Sequence, residues 1–351
     1  MNLPFRPRKV YPESRVLIGG CRMNSENNSA PQTDSSVLML SAVPGHPLGL
    51  LLEENRKISV LIEESEKALA SGDPAGLAGS LKKLRSANVH YKKNGDLIYP
   101  VLKERCPSGN PADEMWDAGV EIKDELLALA EENEILRDTP ERLKEAADSA
   151  ENLSRRESEE LYPLCAEKFT EEDWMRIYFE LPAYGSFLTE DRPVWAEAEA
   201  RRTEFTEKEK TSGAGASEVS ENSSSPIPLG TGHMTPKQIE AVLNTIPMEL
   251  TFVDDHDRNC YFNAGEKLFK RPAAAIGREV YSCHPPRYEM LVDQTIEELR
   301  SGEKESSDIW MERNGEPVLV RYMAVRDEQG TYLGTLECVQ KMGFARDYFK
   351  D

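Results

Sequence analysis

The sequence lacks long apolar segments and is poor in the residues that build metal or disulfide sites. No run of about 18 residues is apolar throughout, so no transmembrane helix and no membrane partner are expected. Histidine occurs five times in 351 residues, and the six cysteines (21, 106, 165, 260, 283 and 338) show no C-x-x-C spacing. This pattern argues against a zinc knuckle and a disulfide framework, and it favours free thiols in a reducing cytoplasm.

Positive charge is also scarce. Lysine and arginine number 43 against 63 aspartate and glutamate residues, which gives a formal net charge of -20. A surface this acidic argues against a nucleic-acid partner and against binding to anionic membranes. The length is sufficient for two ordinary domains with separate cores.

The chain divides by composition into five parts. Residues 1–43 are polar and rich in serine and asparagine, so we expect disorder there. Residues 44–181 show apolar stripes at helical spacing, such as Leu51, Ile58, Ile62 and Leu69, with breaks that separate four amphipathic helices. Short connections between such helices predict an all-α antiparallel four-helix bundle.

Residues 182–232 form a connector whose first half reads as a charged helix and whose Ser/Gly-rich second half reads as a flexible linker. Residues 233–345 have an α+β pattern, with a six-residue tail at 346–351. The pair Asn314-Gly315 joins two strands as a hairpin, and in PVLVRYMAV the residues Val318, Val320, Tyr322 and Ala324 share one face.

The segment from Asn259 to Pro286, NCYFNAGEKLFKRPAAAIGREVYSCHPP, is the most informative motif. An aromatic strand runs into Asn263 and a predicted short helix, AGEKLF, and the segment ends on Gly-Arg and CHPP. This passage resembles a PAS domain. The resemblance implies a five-stranded antiparallel sheet with a helical flank, which binds a small ligand or haem between the two layers or dimerises through the sheet.

Five residues are candidates for the pocket that this resemblance implies: Asn263, Phe269, Cys283, His284 and Trp310. Asn263 is also a predicted helix cap. Cys283 or His284 could be an axial ligand of haem iron, since both residue types serve there. The alternative, which we favour, is that CHPP is a rigid entry to the helix starting near Tyr288, with Cys283 a small core residue.

The helical part carries four landmarks in order: GHPLGLLLEEN at 45–55, HYKKNGDLIYP at 90–100, MWDAGVEI at 115–122, and RRESEELYPLCAEKFTEEDW at 155–174. It resembles the hemerythrin-like (HHE) bundles of prokaryotic proteins that also carry a PAS domain. That resemblance implies a diiron site of several histidines and two carboxylates. Here His46, His90 and Glu157 match ligand positions, whereas Gly119 replaces a histidine and Asn94-Gly95 stand where a glutamate is expected.

A complete diiron site is therefore not expected. One alternative is a weak mononuclear iron site formed by His46, His90 and Glu157. The other, which we favour, is a bundle kept as a scaffold. In that case His46 starts a helix, His90 is half-buried, and Glu157 reaches solvent or pairs with an arginine.

Together these patterns predict a cytoplasmic sensory or regulatory protein rather than an enzyme. Its PAS domain would bind a small-molecule ligand or a protein partner, or form a homodimer, and its degenerate bundle would serve as a scaffold. The alternative function is an iron- or haem-dependent redox or oxygen-sensing protein.

Overall fold

The computed structural model describes residues 35–131, 138–185, 187, 192–212, 225–265, 267–313 and 315–348. Most of the segment expected to be disordered, residues 1–43, lies outside this part of the chain. Within it, however, Ser35–Ser41 form a helix, α1. The structure differs there from the expected disorder because Val37 is buried in the apolar core of the helices that follow.

The helical region, residues 35–212, begins with α1. The other helices are α2 (Pro47–Ala70), α3 (Pro74–Leu84), α4 (Asn88–Lys93), α5 (Tyr99–Arg105), α6 (Ala112–Glu131), α7 (Thr139–Arg156), α8 (Tyr162–Lys168), α9 (Glu171–Glu180), α10 (Ala196–Ala200) and α11 (Arg202–Ser212). Short 3-10 or π turns join α3 to α4, α4 to α5, and α7 to α8, so that these form two long stretches. Helix α2 contacts α3 and α7, and α6 contacts the same two helices, around one shared core.

Two π turns interrupt the long stretches, at Asn94–Ile98 and Glu157–Leu161. Each is followed by a Tyr-Pro pair, with the proline at position 100 or 163. Proline has no N–H to donate to the carbonyl four residues earlier, and its ring crowds that carbonyl, so the helix widens locally. Asn94 and Glu157 are thereby placed at the first position of the two widened turns.

The connector is more structured than a linker. Phe187, Trp195 and Ala198 are buried in the core of the helical region. The predicted charged helix is present as α10 and α11, with a break at Arg201. The described residues of this stretch, 182–185, 187 and 192–200, therefore belong to the helical region, because burying these side chains stabilises them there. The Ser/Gly-rich stretch at 213–224 lies outside the described residues.

The C-terminal domain, residues 225–348, starts with a small hairpin of β1 (Ile227–Leu229) and β2 (Gly232–Met234), followed by α12 (Pro236–Thr245). Its remaining elements are β3 (Glu249–Asp254), β4 (Asn259–Phe262), α13 (Pro286–Ser301), β5 (Ser306–Arg313), β6 (Glu316–Arg326), β7 (Tyr332–Lys341) and α14 (Gly343–Tyr348). Strands β3 to β7 form an antiparallel sheet in the order β4-β3-β7-β6-β5. The five-stranded antiparallel sheet after a helical N-terminal region is the predicted architecture.

The hairpin of β5 and β6 turns at Gly315, whose φ of 73° lies in the left-handed region that glycine adopts easily. The predicted short helix over AGEKLF, in contrast, does not form at the described positions of that segment. Gly265 there has a φ of 111°. The Asn263 side chain, expected to cap the helix, instead accepts a hydrogen bond from the Leu250 N–H and donates to the Met248 carbonyl. It fastens the start of β3 to the end of β4.

A candidate ligand cavity between the helical region and the sheet

A cavity of about 640 Å³ lies between the inner face of the sheet, the segment that follows β4, and the helical region. This volume is in the range of cavities that hold small organic ligands. The sheet contributes Thr251, Val253, Ile309, Met311, Val320, Tyr322, Thr335 and Glu337. The helical region contributes Tyr91, Lys92, Gly95, Asp96, Tyr99, Pro100, Trp116, Gly119, Val120 and Lys123.

The charged residues of the wall are mainly basic. Six lysine or arginine residues line the cavity, against two carboxylates, Asp96 and Glu337. The basic residues are Lys92, Lys123, Lys270, Arg271, Arg278 and Arg313. In a chain with a net charge of -20, this concentration of cations is a local reversal of sign.

An ionic group is built on the inner face of the sheet. Arg271 Nη2 donates to Glu337 Oε2 at 2.6 Å, and the Tyr322 hydroxyl donates to Glu337 Oε1 at 3.3 Å. The pairing of β6 with β7 places Tyr322 opposite Glu337. The buried Nε of Arg271 has no acceptor among the described residues. The cavity wall therefore contains an arginine whose donors are only partly used.

Lys92, on α4, faces further cations across the cavity. Burial lowers the pKa of its ammonium group, and the positive charges of Arg313, Lys123 and Lys270 lower it further. The carboxylate of Asp96 offsets part of this effect. Asp96 itself has its pKa raised to about 6 by burial, with Lys92 and Arg271 opposing the rise. Both shifts show that these groups share a poorly solvated space.

Three of the five pocket residues predicted from the sequence line this cavity: Phe269, Cys283 and His284. The Arg313 guanidinium stacks over the Phe269 ring at 5.0 Å. Burial raises the pKa of the Cys283 thiol, which therefore stays protonated near neutral pH. His284 Nδ1 donates to the Val280 carbonyl at 2.8 Å, and burial lowers the pKa of its imidazole.

Asn263 and Trp310 do not line the cavity, and here the structure corrects the sequence-based expectation. The Asn263 side chain is instead hydrogen-bonded to the Leu250 N–H and to the Met248 carbonyl. Trp310 is 60% exposed and lies on the opposite face of the sheet from its neighbours Ile309 and Met311, which do line the cavity. Because side chains alternate along a strand, a residue next to two inward-facing positions must face outward.

Polar contacts join the two walls of the cavity. Arg287, in the first turn of α13, donates to Asp117 at 2.8 Å and to Glu121 at 3.0 Å, both on α6. Lys103 of α5 pairs with Glu289 at 3.1 Å. The Ala273 N–H donates to Glu180 at 2.8 Å. The helical region is thus held against the PAS-like segment by ionic contacts around the cavity rather than by a continuous apolar core.

The proposed metal ligands occupy two separate environments. His90 is fully buried, with Nδ1 3.0 Å from Glu54 Oε2 and Nε2 3.1 Å from Glu157 Oε2. Lys93 donates to Glu54, and Asn94 donates to Glu157 at 2.8 Å. Burial alone would lower the pKa of His90, but the two carboxylates outweigh it and raise the pKa to about 9. This buried polar cluster is therefore balanced, with two cations and two carboxylates.

His46 is not part of that cluster. It caps α2, where its Nδ1 accepts from the Leu48 N–H at 3.2 Å, and its ring lies between Trp174 at 5.0 Å and Trp195 at 4.6 Å. Burial lowers its pKa to about 4, so the ring is neutral. Across the described residues, no group of three His, Cys, Asp or Glu side chains is arranged to hold a metal ion. The set His46, His90 and Glu157 therefore does not fit an iron site.

Two of the scaffold expectations also need correction. His90 is wholly buried rather than half-buried, and Glu157 neither reaches solvent nor pairs with an arginine. Both differences have one cause, since each side chain satisfies the other's charge inside the protein.

No helix in the described part of the chain is both long and apolar enough to cross a bilayer.

Comparison with known proteins identifies the family of the C-terminal domain. A family model described as "PAS domain" matches residues 239–342. Among solved structures, the C-terminal domain of a protein from Streptococcus mutans is 34% identical, over 36% of this chain and 99% of that one, with a TM-score of 0.35. The PAS domain of a protein from Colwellia psychrerythraea is 16% identical, over 31% of this chain and 97% of that one, with a TM-score of 0.25.

A sensory box sensor histidine kinase from Vibrio cholerae is 15% identical, over 30% of this chain and 90% of that one, with a TM-score of 0.23. No curated protein matches the chain. The family match covers the sheet and the segment Asn259 to Pro286, which carries the PAS resemblance. Residues 239–342 are therefore a PAS domain.

Proposed function

We propose that this protein is a sensory or regulatory protein that acts by binding rather than by catalysis. Its PAS domain takes a small ligand into the cavity, and the helical region, a degenerate hemerythrin-like bundle that lacks a complete set of metal ligands, is a scaffold that supplies the opposite wall. The observation that carries the proposal is that both regions contribute residues to the lining of one cavity. Residues of α4, α5 and α6 line the same space as the inner face of the PAS sheet.

The proposal has a structural consequence. A ligand in this cavity contacts both parts of the protein, so it stabilises their association by mass action, as any ligand stabilises the state that binds it. The wall contacts are mostly ionic and partly exposed, such as Arg287 with Asp117 and Glu121. Ion pairs of this kind are individually weak, so a ligand can shift the balance between an open and a closed arrangement.

Two adjacent residues of β5 provide the test. Met311 lines the cavity, whereas Trp310 is on the outer face. Native mass spectrometry and thermal-shift screening of the full chain identify compounds that bind. Met311→Trp should abolish their binding by filling the cavity, while Trp310→Ala should leave it unchanged. Binding that survives Met311→Trp, or is lost in Trp310→Ala with the fold intact, would place the site elsewhere and overturn the proposal.

A second candidate is a haem-dependent sensor, and one observation favours it. The Nδ1 of His284 donates to a backbone carbonyl, which leaves Nε2 of a cavity-lining, neutral imidazole as the acceptor. Histidines that bind metals are commonly fixed in this way. Hemin titration separates the two candidates. A Soret band that His284→Ala removes would support haem, whereas the organic ligand that we propose predicts no such band.

A further inference from the structure

The cations around the cavity differ in whether they already have partners. Arg271 pairs with Glu337, Arg278 approaches Glu104 at 3.5 Å, and Lys123 lies 3.2 Å from Asp124. The other three are Lys92, Lys270 and Arg313. Among the described residues, none of these three forms an ion pair with a carboxylate.

These three cations come from both walls. Lys92 is on α4, Lys270 is on the segment after β4, and Arg313 ends β5. All three line the same cavity, and the charges of Arg313 and Lys270 each lower the pKa of Lys92. Lys92 and Arg313 are half-buried, whereas Lys270 is exposed at the edge of the cavity. Like charges that line one cavity repel one another, so an anion placed among them would reduce that repulsion.

The surroundings of this cationic group are apolar. Arg313 stacks over Phe269, and both line the cavity. Leu268, Ile309, Met311 and Val320 continue the apolar wall. A bare inorganic anion would leave that surface without a contact, whereas an anion with an apolar body would cover it.

We propose that the cavity binds a small amphipathic organic acid, whose anionic group is held by Lys92, Lys270 and Arg313 and whose apolar body packs on Phe269 and the inner face of the sheet. This inference rests on the proposed function, because it names the ligand class of the same cavity. It also gives the ligand a bridging role, since its anionic group is shared between the helical region and the PAS domain.

A matched pair of fluorescent probes tests the charge requirement. 8-Anilinonaphthalene-1-sulfonate (ANS) and N-phenyl-1-naphthylamine share an aromatic body, but only the first carries an anionic group. Titration of the full chain at low salt should give one ANS site per chain, bound at least about tenfold more tightly than the neutral probe. Inorganic phosphate at matched ionic strength should not displace ANS.

Charge-removing variants assign the binding to the named residues. Lys92→Gln combined with Arg313→Gln should weaken ANS binding about tenfold or more and leave the neutral probe within about twofold. The matched controls are Lys82→Gln and Lys341→Gln, which remove exposed charges outside the cavity and should change neither probe. If the double variant does not fold, Lys270→Gln alone serves as the test.

The outcomes separate this inference from the function on which it rests. Equal binding of the two probes, or ANS binding that ignores the double variant, would overturn the anionic requirement. If Met311→Trp still abolishes binding of both probes in that case, the cavity remains the site and the proposed function stands. ANS binding that persists in Met311→Trp would overturn both proposals. Displacement of ANS by phosphate alone would overturn the need for an apolar body.

Discussion

Raising the pH from 6 to above 9 should destabilise the helical region through His90. Its imidazolium is fully buried between Glu54 and Glu157, and Lys93 donates to Glu54 on the far side. With His90 protonated the four side chains are neutral as a group. Loss of that proton leaves one negative charge uncompensated in the interior, which is costly.

The magnitude follows from the pKa of His90, which is raised from 6.5 to about 9. One pKa unit corresponds to about 1.4 kcal/mol, so the protonated form contributes about 3 kcal/mol to the free energy of unfolding. The folded state holds its proton more tightly than the unfolded state. This contribution is therefore fully present below pH 6.5 and is lost as the pH rises through 9.

His46, His284 and the buried Cys165 thiol titrate outside that pH window. Burial lowers the pKa of His46 to about 4 and also lowers that of His284, so their contributions change below pH 6.5. Burial raises the pKa of the Cys165 thiol well above its usual value, so its contribution changes only once the unfolded thiol ionises, near pH 9. Between pH 6.5 and 9, the His90 contribution should dominate the slope.

Urea unfolding followed by tryptophan fluorescence measures this effect. In a Trp310→Phe background the remaining tryptophans, Trp116, Trp174 and Trp195, all lie in the helical region. The free energy of unfolding should fall by about 3 kcal/mol across the window, and His90→Gln should flatten the profile. Parallel profiles for the two proteins would refute the reasoning. If His90→Gln does not fold, Glu157→Gln should move the fall to lower pH.

Three further predictions concern the cavity and the start of α2. Arg287→Glu should weaken ANS binding about fivefold in the same titration, because it reverses a charge that holds the two walls together; unchanged affinity would show that this contact does not close the cavity. ANS should bind about threefold to tenfold more tightly at pH 5 than at pH 7, because Asp96, whose pKa is about 6, loses its repelling charge; Asp96→Asn should remove this dependence, and a dependence that survives it would have another origin. Gly45→Ala should lower the free energy of unfolding in urea by about 3 kcal/mol or more, because φ is 77° and a Cβ would lie 2.4 Å from the Trp195 backbone nitrogen. Gly72→Ala, where φ is 64° and a Cβ would meet no atom within 4 Å, should lower it by only about 1 to 2 kcal/mol. Equal losses for the two variants would contradict the steric argument.

Much of the C-terminal domain was predictable because its signals are local. The Asn-Gly turn and the alternation in PVLVRYMAV predicted the hairpin and put Val320 and Tyr322 on one face, and both line the cavity. The prediction that Trp310 lines the pocket was wrong, and the strand register of the same hairpin shows why. Pairing across the turn sets Ile309 opposite Val320 and Trp310 opposite Leu319. The register therefore already implied that Trp310 faces away.

The contribution of the helical region to the cavity could not be predicted from local sequence signals. Lys92 and Asp96 carry no local signal of a cavity, since a lysine and an aspartate on a helix are most simply read as a solvated face. Their environment arises from residues nearly two hundred positions away, on the PAS domain. Arg271 is likewise one of many charged residues in its segment until Glu337 is placed beside it by the pairing of distant strands.

The helical region resembles proteins with a metal site, but the residues at the corresponding positions here form a buried polar cluster and part of the cavity wall. The π turn at Asn94–Ile98 places consecutive residues on different sides: Asn94 donates into the buried polar cluster, and Gly95 and Asp96 line the cavity. Gly119 also lines the cavity, and a Cβ there would meet Tyr91 at 3.5 Å. A Cβ at Gly95 would lie 2.9 Å from Trp116 Nε1. Gly95 and Gly119, at positions where the hemerythrin-like resemblance implied metal ligands, thus leave room beside aromatic rings that the proposed ligand can contact.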